Sequence, residues 1–445
     1  MPEPPIGRRR HPSRRSVLAA AGAGLGTALA ASLTACSSAS GGESRGVTLT
    51  IAWWGNDDRA ERTQRALRLF EKEHPGVTVQ ASNSDFGSYM QKLATQAAGG
   101  GIPDLAQLDY RQISQYAGGG ALLPLDSAVR DKRIRTADID TDLLRTGTFG
   151  GKQYALPMGR GITGFAYDTK MFKKAGLRTP RPDWTWQEWA EANRRIAALG
   201  LKSPDGRPVT GANDGGVNED VFETWLRSRG GKLYASQTRL GFSEDDLTEF
   251  WTLCDDLRRS GATAEPKDTV QAVSIETSPM GRGLAASDYT WDAPFPGYTD
   301  LLGDQVRFCP CPTTDGRQGS YFKPSMLLGI GANTRHPEEA VQLADFLTND
   351  PRAGAILGFT RSTPPNKATA RRVAKTLEGS ELQIYRYAQD MEKYGLDAPP
   401  AAPPRGDVAI QIAFKRQYQR IAYDLASPRD AAREFIDEAE RELRS

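Results

Sequence analysis

Residues 47–58, Val-Thr-Leu-Thr-Ile-Ala-Trp-Trp-Gly-Asn-Asp-Asp, decide the fold of this 445-residue chain. The first eight alternate in the manner of a β-strand, and Gly55 ends that pattern. Asn56 or Asp57 can cap the helix that follows. The next elements are predicted in the order strand, helix, strand, at 77–81, 86–97 and 105–108. This alternation predicts parallel βαβ units and an α/β fold.

The rest of the chain is predicted to be mainly helical, with strands returning late. Helical patterns cover 186–199, 219–229, 245–260, 338–347, 410–425 and 429–443. Strand patterns return at 305–308 and 326–330. The Pro-rich segment 398–405 is predicted to be an ordered loop rather than a recognition motif.

Polar side chains follow each of the three early strands. Trp54, Asn56 and Asp57 follow the first strand, Asp85 follows the second and Asp109 follows the third. Ligands of α/β proteins bind beyond the carboxyl ends of parallel strands. Carboxylates and amides bridge neighbouring hydroxyls, and aromatic faces stack on sugar rings, so this set favours a polyhydroxylated ligand over a phosphate. The alternative is that these residues are helix caps and core aromatics; for Trp54 we favour the cleft.

Composition and charge exclude several classes of protein. The mean hydropathy of −0.53 excludes a polytopic membrane protein. Beyond residue 35 the chain has 52 basic and 54 acidic residues, a formal charge of −2, which gives no electrostatic case for nucleic acid binding. Only His74 and His336 remain outside the first 35 residues, so we expect neither a His-based metal site nor a Ser-His-Asp triad. No cofactor motif is present, and we expect no cofactor.

The N-terminal segment has the order of an export signal. A twin arginine at 14–15 precedes an uncharged Ala- and Gly-rich stretch that ends in Leu-Thr-Ala before Cys36. The arginine pair resembles a Tat signal, and the Leu-Thr-Ala-Cys sequence resembles a bacterial lipobox. We predict a Tat-type lipoprotein signal peptide over 1–35, lipidation of Cys36 and a flexible tether over 36–46. The protein would then be lipid-anchored at the outer face of the cytoplasmic membrane. The alternative is a basic arm followed by an uncleaved transmembrane helix.

Three further cysteines lie in the body of the chain. Cys254 falls on an apolar helical stripe, which predicts a core thiol. A disulfide from Cys254 to Cys309 or Cys311 is the alternative, since an exported protein permits one. Three thiolates without histidine are weak evidence for a metal, and we predict none.

Short motifs occur in a fixed order along residues 47–443. They are Tyr-Met-Gln-Lys-Leu at 89–93, Ala-Gly-Gly-Gly-Ile-Pro-Asp-Leu at 98–105, Leu-Leu-Pro-Leu-Asp at 122–126, Gly-Lys-Gln-Tyr-Ala-Leu-Pro at 151–157, Phe-Ala-Tyr-Asp at 165–168, Thr-Trp-Gln-Glu-Trp at 185–189, His-Pro-Glu-Glu-Ala at 336–340 and Ser-Pro-Arg-Asp-Ala at 427–431. Together they resemble the extracellular solute-binding lipoproteins of sugar ABC transporters, the maltose-binding-protein-like family 1.

The resemblance implies a two-lobed, periplasmic-binding-protein-like (type II) α/β fold with a hinge and an interlobe cleft. It assigns 47–158 plus 305–358 to lobe one and 159–304 plus 359–445 to lobe two.

Ligand contacts of the family carry over to the strand-end residues of lobe one and to two residues of lobe two, Asp288 and Trp291. The latter lie in what is predicted to be a polar, Pro-bounded loop. Arg361 falls in a late cleft-lining loop. Arg160 lies where the maltodextrin branch has an acid nearby, which argues against maltodextrin and favours an acidic or differently hydroxylated ligand. The alternative for Arg160 is a hinge salt bridge.

The function implied is capture of a sugar or oligosaccharide by a monomer that delivers it to the permease subunits of an ABC importer, without catalysis. Two alternatives stay open. The same fold can bind a non-sugar solute such as a peptide, a polyamine or an iron chelate. A secreted glycoside hydrolase would need two carboxylates about 5–10 Å apart, which the many acids of the chain allow.

Overall fold

The computed structural model describes residues 46–272 and 274–444. The predicted signal peptide, Cys36 and the tether up to residue 45 lie outside this part of the chain. No helix among the described residues is long and apolar enough to cross a membrane.

The described residues form an α/β fold, as predicted. The strands are β1 Val47–Trp54, β2 Val77–Ser84, β3 Leu105–Leu108, β4 Thr148–Phe149, β5 Lys152–Gln153, β6 Ala155–Pro157, β7 Arg160–Gly161, β8 Thr163–Asp168, β9 Tyr234–Ser236, β10 Arg239–Leu240, β11 Ser287–Trp291, β12 Val306–Cys309, β13 Lys323–Pro324 and β14 Leu327–Ile330. The helices are α1 Asp57–Glu73, α2 Phe86–Ala98, α3 Ile113–Gly118, α4 Asp126–Arg130, α5 Thr141–Arg145, α6 Thr169–Lys174, α7 Trp186–Ala197, α8 Glu219–Ser228, α9 Glu244–Arg259, α10 Pro266–Val270, α11 Phe295–Leu302, α12 Pro337–Asn349, α13 Pro351–Leu357, α14 Lys367–Val373, α15 Gly379–Met391, α16 Asp407–Ala422 and α17 Pro428–Glu442. Segment 398–405 is a loop without regular structure.

The first sheet has the strand order β2-β1-β3-β14-β6. β1 is parallel to β2 and to β3, as the βαβ pattern predicts, and Trp54 lies opposite Ser84 at the carboxyl ends. β14 and β6 are antiparallel to their neighbours. Phe70 of α1, Leu93 of α2 and Leu343 of α12 are buried with this sheet in one hydrophobic core. The predicted strand ends therefore lie along one edge of a packed sheet.

The second sheet, β11-β8-β12, is antiparallel and belongs to a separate core. The helices beside it bury large aromatic side chains, among them Trp251 and Phe414, whose ring centroids are 5.1 Å apart. Because β12 pairs with β8, and Cys309 and Cys311 are buried in this core, residues 305–323 pack with lobe two. Their predicted assignment to lobe one is corrected accordingly, since a strand's partner is not encoded in its own sequence.

The chain crosses between the two cores three times, which confirms the two-lobed fold. Met158 and Met326 are buried in the first core, whereas Ile162 and the neighbouring Phe322 belong to a small cluster on the other side. The third crossing follows α13. β7 pairs with β13, and the backbone N–H of Arg160 donates to the carbonyl of Thr363 at 2.7 Å, so all three crossings are hydrogen-bonded together. We call these crossing segments the hinge.

The cysteines of the described chain are free and buried. Cys254 lies in the second core, 2% exposed, as the core-thiol prediction states. Burial raises the pKa of this thiol well above its usual range. Neither disulfide alternative is present.

Candidate functional site

Three of the predicted strand-end residues cap helices. The side chains of Asn56, Asp85 and Asp109 each accept a hydrogen bond from a backbone N–H two or three residues further on, at 3.1, 2.9 and 2.8 Å. Such a cap contributes about 1 kcal/mol to the stability of the helix that it begins. Hydrogen bonds from Ser88 lower the pKa of Asp85. Asp57 is exposed in the first turn of α1.

The aromatic residues at this edge are Trp54 and Phe86. Trp54 is only 8% exposed and packs edge-to-face on Phe86, with the ring centroids 5.5 Å apart, and against Tyr89 at the same distance. Phe86, by contrast, is 52% exposed although it opens the helix that follows Asp85. The aromatic face available at this edge is therefore that of Phe86, which sequence reasoning assigned only to a helix.

Arg361 lies beneath the strand ends and is 4% exposed. Its Nε donates to the side-chain oxygen of Gln107 at 2.9 Å, and its Nη2 donates to Thr63 at 3.0 Å. Gln107 in turn donates to the backbone carbonyl of Trp54 at 3.2 Å. Burial, together with the nearby Arg59, lowers the pKa of Arg361. In this structure Arg361 holds the backbone that carries Trp54.

Arg160 lies in the hinge, where its guanidinium pairs with Glu392 and lies 3.4 Å from the centroid of the Phe322 ring. This is the hinge salt bridge that the sequence left as an alternative. The neighbouring residue 159 is a glycine for a physical reason, because a Cβ at this position would lie 1.6 Å from the carbonyl oxygen of Arg361. The close approach of two hinge segments thus excludes any side chain, including an acid, at position 159.

A cluster of four charged residues joins the lobes. Arg111, which follows β3 in lobe one, lies 2.8 Å from Glu219, 2.7 Å from Asp220 and 3.2 Å from Asp407, all in lobe two. We call these four residues the interlobe cluster. The Arg111 side chain is 14% exposed and that of Asp407 is 1% exposed. Glu219 and Asp220 occupy the first turn of α8, where the helix dipole favours negative charge.

The protonation states of the interlobe cluster follow from burial and pairing. Burial alone would disfavour every charge in it. Against this, Arg111 and Lys323 lower the pKa of Asp220 to about 2. The three carboxylates raise the pKa of Arg111, despite its burial. Arg111 and Asp220 therefore stay ionised at neutral pH and attract each other across the lobe boundary.

A cavity of about 530 Å³ adjoins this cluster. Arg111 lines it from lobe one, and Asp288, Tyr289 and Tyr298 line it from lobe two. Asp288 accepts a hydrogen bond from the hydroxyl of Tyr298, and burial raises its pKa to about 7. The structure thus brings Asp288 and Arg111 to one cavity wall, and the volume falls in the usual range of small-molecule sites. We call it the first cavity.

Trp291 lies at the end of β11 rather than in the predicted loop, and pairs with Thr163 of β8. Its indole N–H donates to Asp220 at 3.0 Å, and the ammonium of Lys323 lies 3.8 Å from its ring centroid. The side chain is partly exposed. Trp291 therefore contacts the interlobe cluster and is not a core residue.

Sequence reasoning did not select the four residues of the interlobe cluster or Phe86. Arg111 gave one signal, its place directly after the third strand end. The three acids of the cluster gave none, because they lie at the starts of two helices more than a hundred residues away. Among the residues that the structure describes, no group of three or more His, Cys, Asp or Glu side chains is arranged to hold a metal ion.

Comparison with known proteins extends these findings. The multiple sugar-binding protein of Streptococcus mutans is 21% identical over 335 residues, which cover 71% of this chain and 75% of that protein. The solved structure of an extracellular solute-binding protein family 1 from Alicyclobacillus acidocaldarius is 29% identical with a TM-score of 0.68, and covers 90% of this chain and 99% of its own.

A periplasmic oligogalacturonide binding protein from Yersinia enterocolitica, solved with saturated digalacturonic acid, has a TM-score of 0.76 at 24% identity, covering 89% of this chain and 99% of its own. The family model described as bacterial extracellular solute-binding protein matches residues 56–352, more than half of the chain. With its two lobes, hinge and interlobe cavity, the chain belongs to the family of bacterial extracellular solute-binding proteins.

Proposed function

We propose that this solute-binding protein captures a sugar or oligosaccharide between its lobes and delivers it to the permease of an ABC importer. The observation that carries the proposal is the first cavity, in which carboxyl groups and tyrosine rings from lobe two face Arg111 from lobe one. Carboxyl groups bind paired hydroxyls, and rings stack on sugar C–H faces. The name of the Streptococcus mutans relative supports a sugar as the solute.

The residues proposed to contact the sugar come from both lobes. They are Trp54, Asn56, Asp57, Asp85 and Asp109, with Phe86 added from the structure, and Asp288 and Trp291. Asn56, Asp85 and Asp109 each use one side-chain oxygen as a cap, and we propose that their remaining polar atom binds hydroxyls. Arg160 and Arg361 are proposed to act on the hinge and on the Trp54 backbone.

Lobe closure is the proposed mechanism. A ligand that contacts both lobes binds the closed form more tightly than the open form, and therefore shifts the population towards closure. The closed form also joins Arg111 to its three carboxylates, so these ion pairs add to the ligand contacts. The permease would then distinguish closed from open protein.

A polyamine is the second candidate solute. Asp288 in the first cavity is bonded to a tyrosine hydroxyl and has no cationic partner among the described residues. A buried carboxylate of this kind is stabilised by an ammonium group. Spermidine therefore belongs in the same screen as the sugars.

The test is a thermal-shift screen of the full chain against neutral sugars, uronic acids and spermidine. A ligand that binds only the folded state raises the melting temperature. The bound sugar should be recovered unchanged by mass spectrometry. A shift from spermidine alone would favour the second candidate, and a cleaved sugar would identify a glycoside hydrolase.

We also propose that the mature protein is a lipid-anchored monomer that begins at Cys36 and is exported by the Tat pathway. The order of twin arginine, apolar stretch and Leu-Thr-Ala-Cys supports it. Mass spectrometry of the membrane-extracted protein should find an acylated Cys36 and no residue before it. An unmodified Cys36 or a retained signal contradicts the proposal.

A further inference from the structure

A second cavity of about 400 Å³ also adjoins Arg111. Arg111 lines both cavities. The walls of the second cavity include Tyr110 from lobe one and Tyr234, Tyr321 and Leu233 from lobe two. The lining also includes polar and charged side chains, but tyrosine, leucine, alanine and proline residues make up most of it. The cavity is therefore suited to an apolar group.

The three tyrosine rings are held rigidly by their hydroxyls. Tyr321 donates to Glu223 at 2.8 Å, and Tyr234 donates to Asp407 of the interlobe cluster at 2.6 Å. Tyr110 lies 2.6 Å from the carbonyl oxygen of Pro400. Because each hydroxyl is tied to the protein, the rings offer the cavity their faces and edges rather than their polar ends.

The roof of the second cavity is the Pro-rich segment 398–405, which we call the strap. Its carbonyls accept hydrogen bonds from both lobes. Ser114 of lobe one donates to Pro403 at 2.8 Å, and Gln237 of lobe two donates to Ala402 at 2.9 Å. Proline restricts the backbone of the strap, so the roof is pre-organised at a small entropic cost.

Two of the charged residues that line the second cavity, Arg227 and Glu223, are already engaged. Arg227 donates to the carbonyls of Gly319 and Ala398, and its guanidinium lies 4.4 Å from the centroid of the Tyr321 ring. Glu223 accepts the Tyr321 hydroxyl. A second sugar ring brings several hydroxyls, and buried hydroxyls without partners are costly. The lining therefore favours a ring that needs no hydrogen bonds.

We infer that the second cavity binds an apolar ring attached to the sugar, so that the preferred ligand is a glycoside with a hydrophobic aglycone. This inference rests on the proposed function, because the sugar part is placed in the first cavity. The two parts would join beside Arg111, which closes over the junction when the lobes meet. The ring should tighten binding about 10- to 100-fold, as expected for burial of a large apolar group.

The experiment compares methyl and 4-nitrophenyl glycosides of glucose, galactose, mannose and xylose by calorimetry on the full chain. The 4-nitrophenyl form should bind about 10- to 100-fold more tightly than the methyl form of the same sugar. Ser236→Trp should remove this preference, because Ser236 lines the second cavity on the strand face of Tyr234. The affinity for the methyl glycoside should not change.

The matched control is Thr238→Trp, which places the same side chain in the same hairpin outside the cavity lining and should keep the preference. Should Ser236→Trp lower the melting temperature, Ser236→Phe fills the same cavity with a smaller group. Equal affinity for both glycosides, or a preference that survives cavity filling, overturns the inference while leaving sugar binding intact. Tighter binding of the corresponding disaccharides would assign the cavity to a second sugar ring. Failure of every glycoside to bind overturns the proposed function as well.

Discussion

The lobes meet at the hinge, at the interlobe cluster and through the strap, and the first two places are built differently. At the hinge, the chain segments that cross between the lobes are held together by the backbone pairing of β7 with β13. Asp292 adds a side-chain contact, because it accepts a hydrogen bond from Ser362 at 2.8 Å. The interlobe cluster consists of side-chain ion pairs between distant segments. Hinge contacts join segments that stay adjacent when the lobes part, whereas the cluster forms only when they meet.

This difference separates stability from closure. Changes at the hinge should alter the free energy of unfolding, and changes in the interlobe cluster should alter the balance of open and closed forms. One strand end links the two places, because Trp291 donates to Asp220 of the cluster and the next residue, Asp292, bonds to the hinge. Substitutions at both places therefore test whether stability and closure are controlled separately.

Arg111→Met should have the largest effect. Closure would then bury the Asp220 carboxylate, together with the carboxyl groups of Glu219 and Asp407, without their cation, and breaking a buried ion pair in this way costs about 3–5 kcal/mol. The unliganded protein should open, with a larger radius of gyration in small-angle scattering than the wild type. Its melting temperature should change little, since the open form leaves the carboxylates hydrated.

The control for this prediction is Arg229→Met. Arg229 pairs with Glu249 at 2.9 Å within lobe two, and both side chains are exposed. Such a surface pair contributes about 0–1 kcal/mol. Its loss should leave the radius of gyration unchanged. An Arg111→Met protein as compact as the wild type would refute the role of the interlobe cluster in closure.

Trp291→Ala should come next. Loss of ring contact with the sugar, and of the N–H that orients Asp220, should together cost roughly 1.5–3 kcal/mol. Binding should weaken about 10- to 150-fold by calorimetry. Trp291→Phe keeps a ring but lacks the N–H, so its affinity should lie between those of the wild type and the alanine variant. Wild-type affinity of the alanine variant would remove Trp291 from the site, and a collapsed melting temperature would show that its ring mainly stabilises the fold.

The hinge should show a pH dependence through Asp292. Its carboxyl is fully buried, and burial raises its pKa to about 7. Between roughly pH 4 and pH 7 the folded protein thus keeps a proton that the unfolded chain has lost, so this group lowers stability as the pH rises. Asp292→Asn keeps the acceptor for Ser362 without the charge. Its free energy of unfolding should exceed that of the wild type by roughly 2 kcal/mol at pH 8, and the difference should be small at pH 4.

Urea unfolding at the two pH values measures this difference. Asp256→Asn, an exposed acid on α9, serves as the control and should show no such change between them. A constant difference between Asp292→Asn and the wild type across this range would show that the carboxyl does not titrate there. The radius of gyration should stay the same in either case, in contrast to Arg111→Met.

The parts of the fold that local patterns encode could be predicted from the sequence. β1 and β3 begin and end where alternation and turn residues place them, and Cys254 is buried where its helical stripe requires. β12 was assigned to the wrong lobe because a strand's partner depends on distant residues, here those of β8. Local sequence carries no information on that pairing.

The candidate site shows the same limit. Strand-end positions were predictable, but Asn56 and Asp85 have the residue types that caps and ligands share, and both act as caps. The interlobe cluster assembles Arg111, the start of α8 and the start of α16, so no local pattern indicates it. Phe86 and Trp54 differ in the exposed fraction of their side chains. That fraction depends on how the first turn of α2 packs on β1, which the local sequence does not encode.

Phe86→Ser should have the smallest effect and should alter neither stability nor closure. Phe86 is half exposed on lobe one and belongs to neither the hinge nor the interlobe cluster. Substitutions at such surface positions usually change stability by less than about 0.5 kcal/mol. Loss of one partly covered ring against the sugar should cost about 1 kcal/mol, so binding should weaken roughly fivefold by calorimetry. Phe86→Tyr keeps the ring and should bind as the wild type does. If Phe86→Ser binds normally, the first strand edge offers no aromatic contact to the ligand, and recognition then rests on lobe two and on closure.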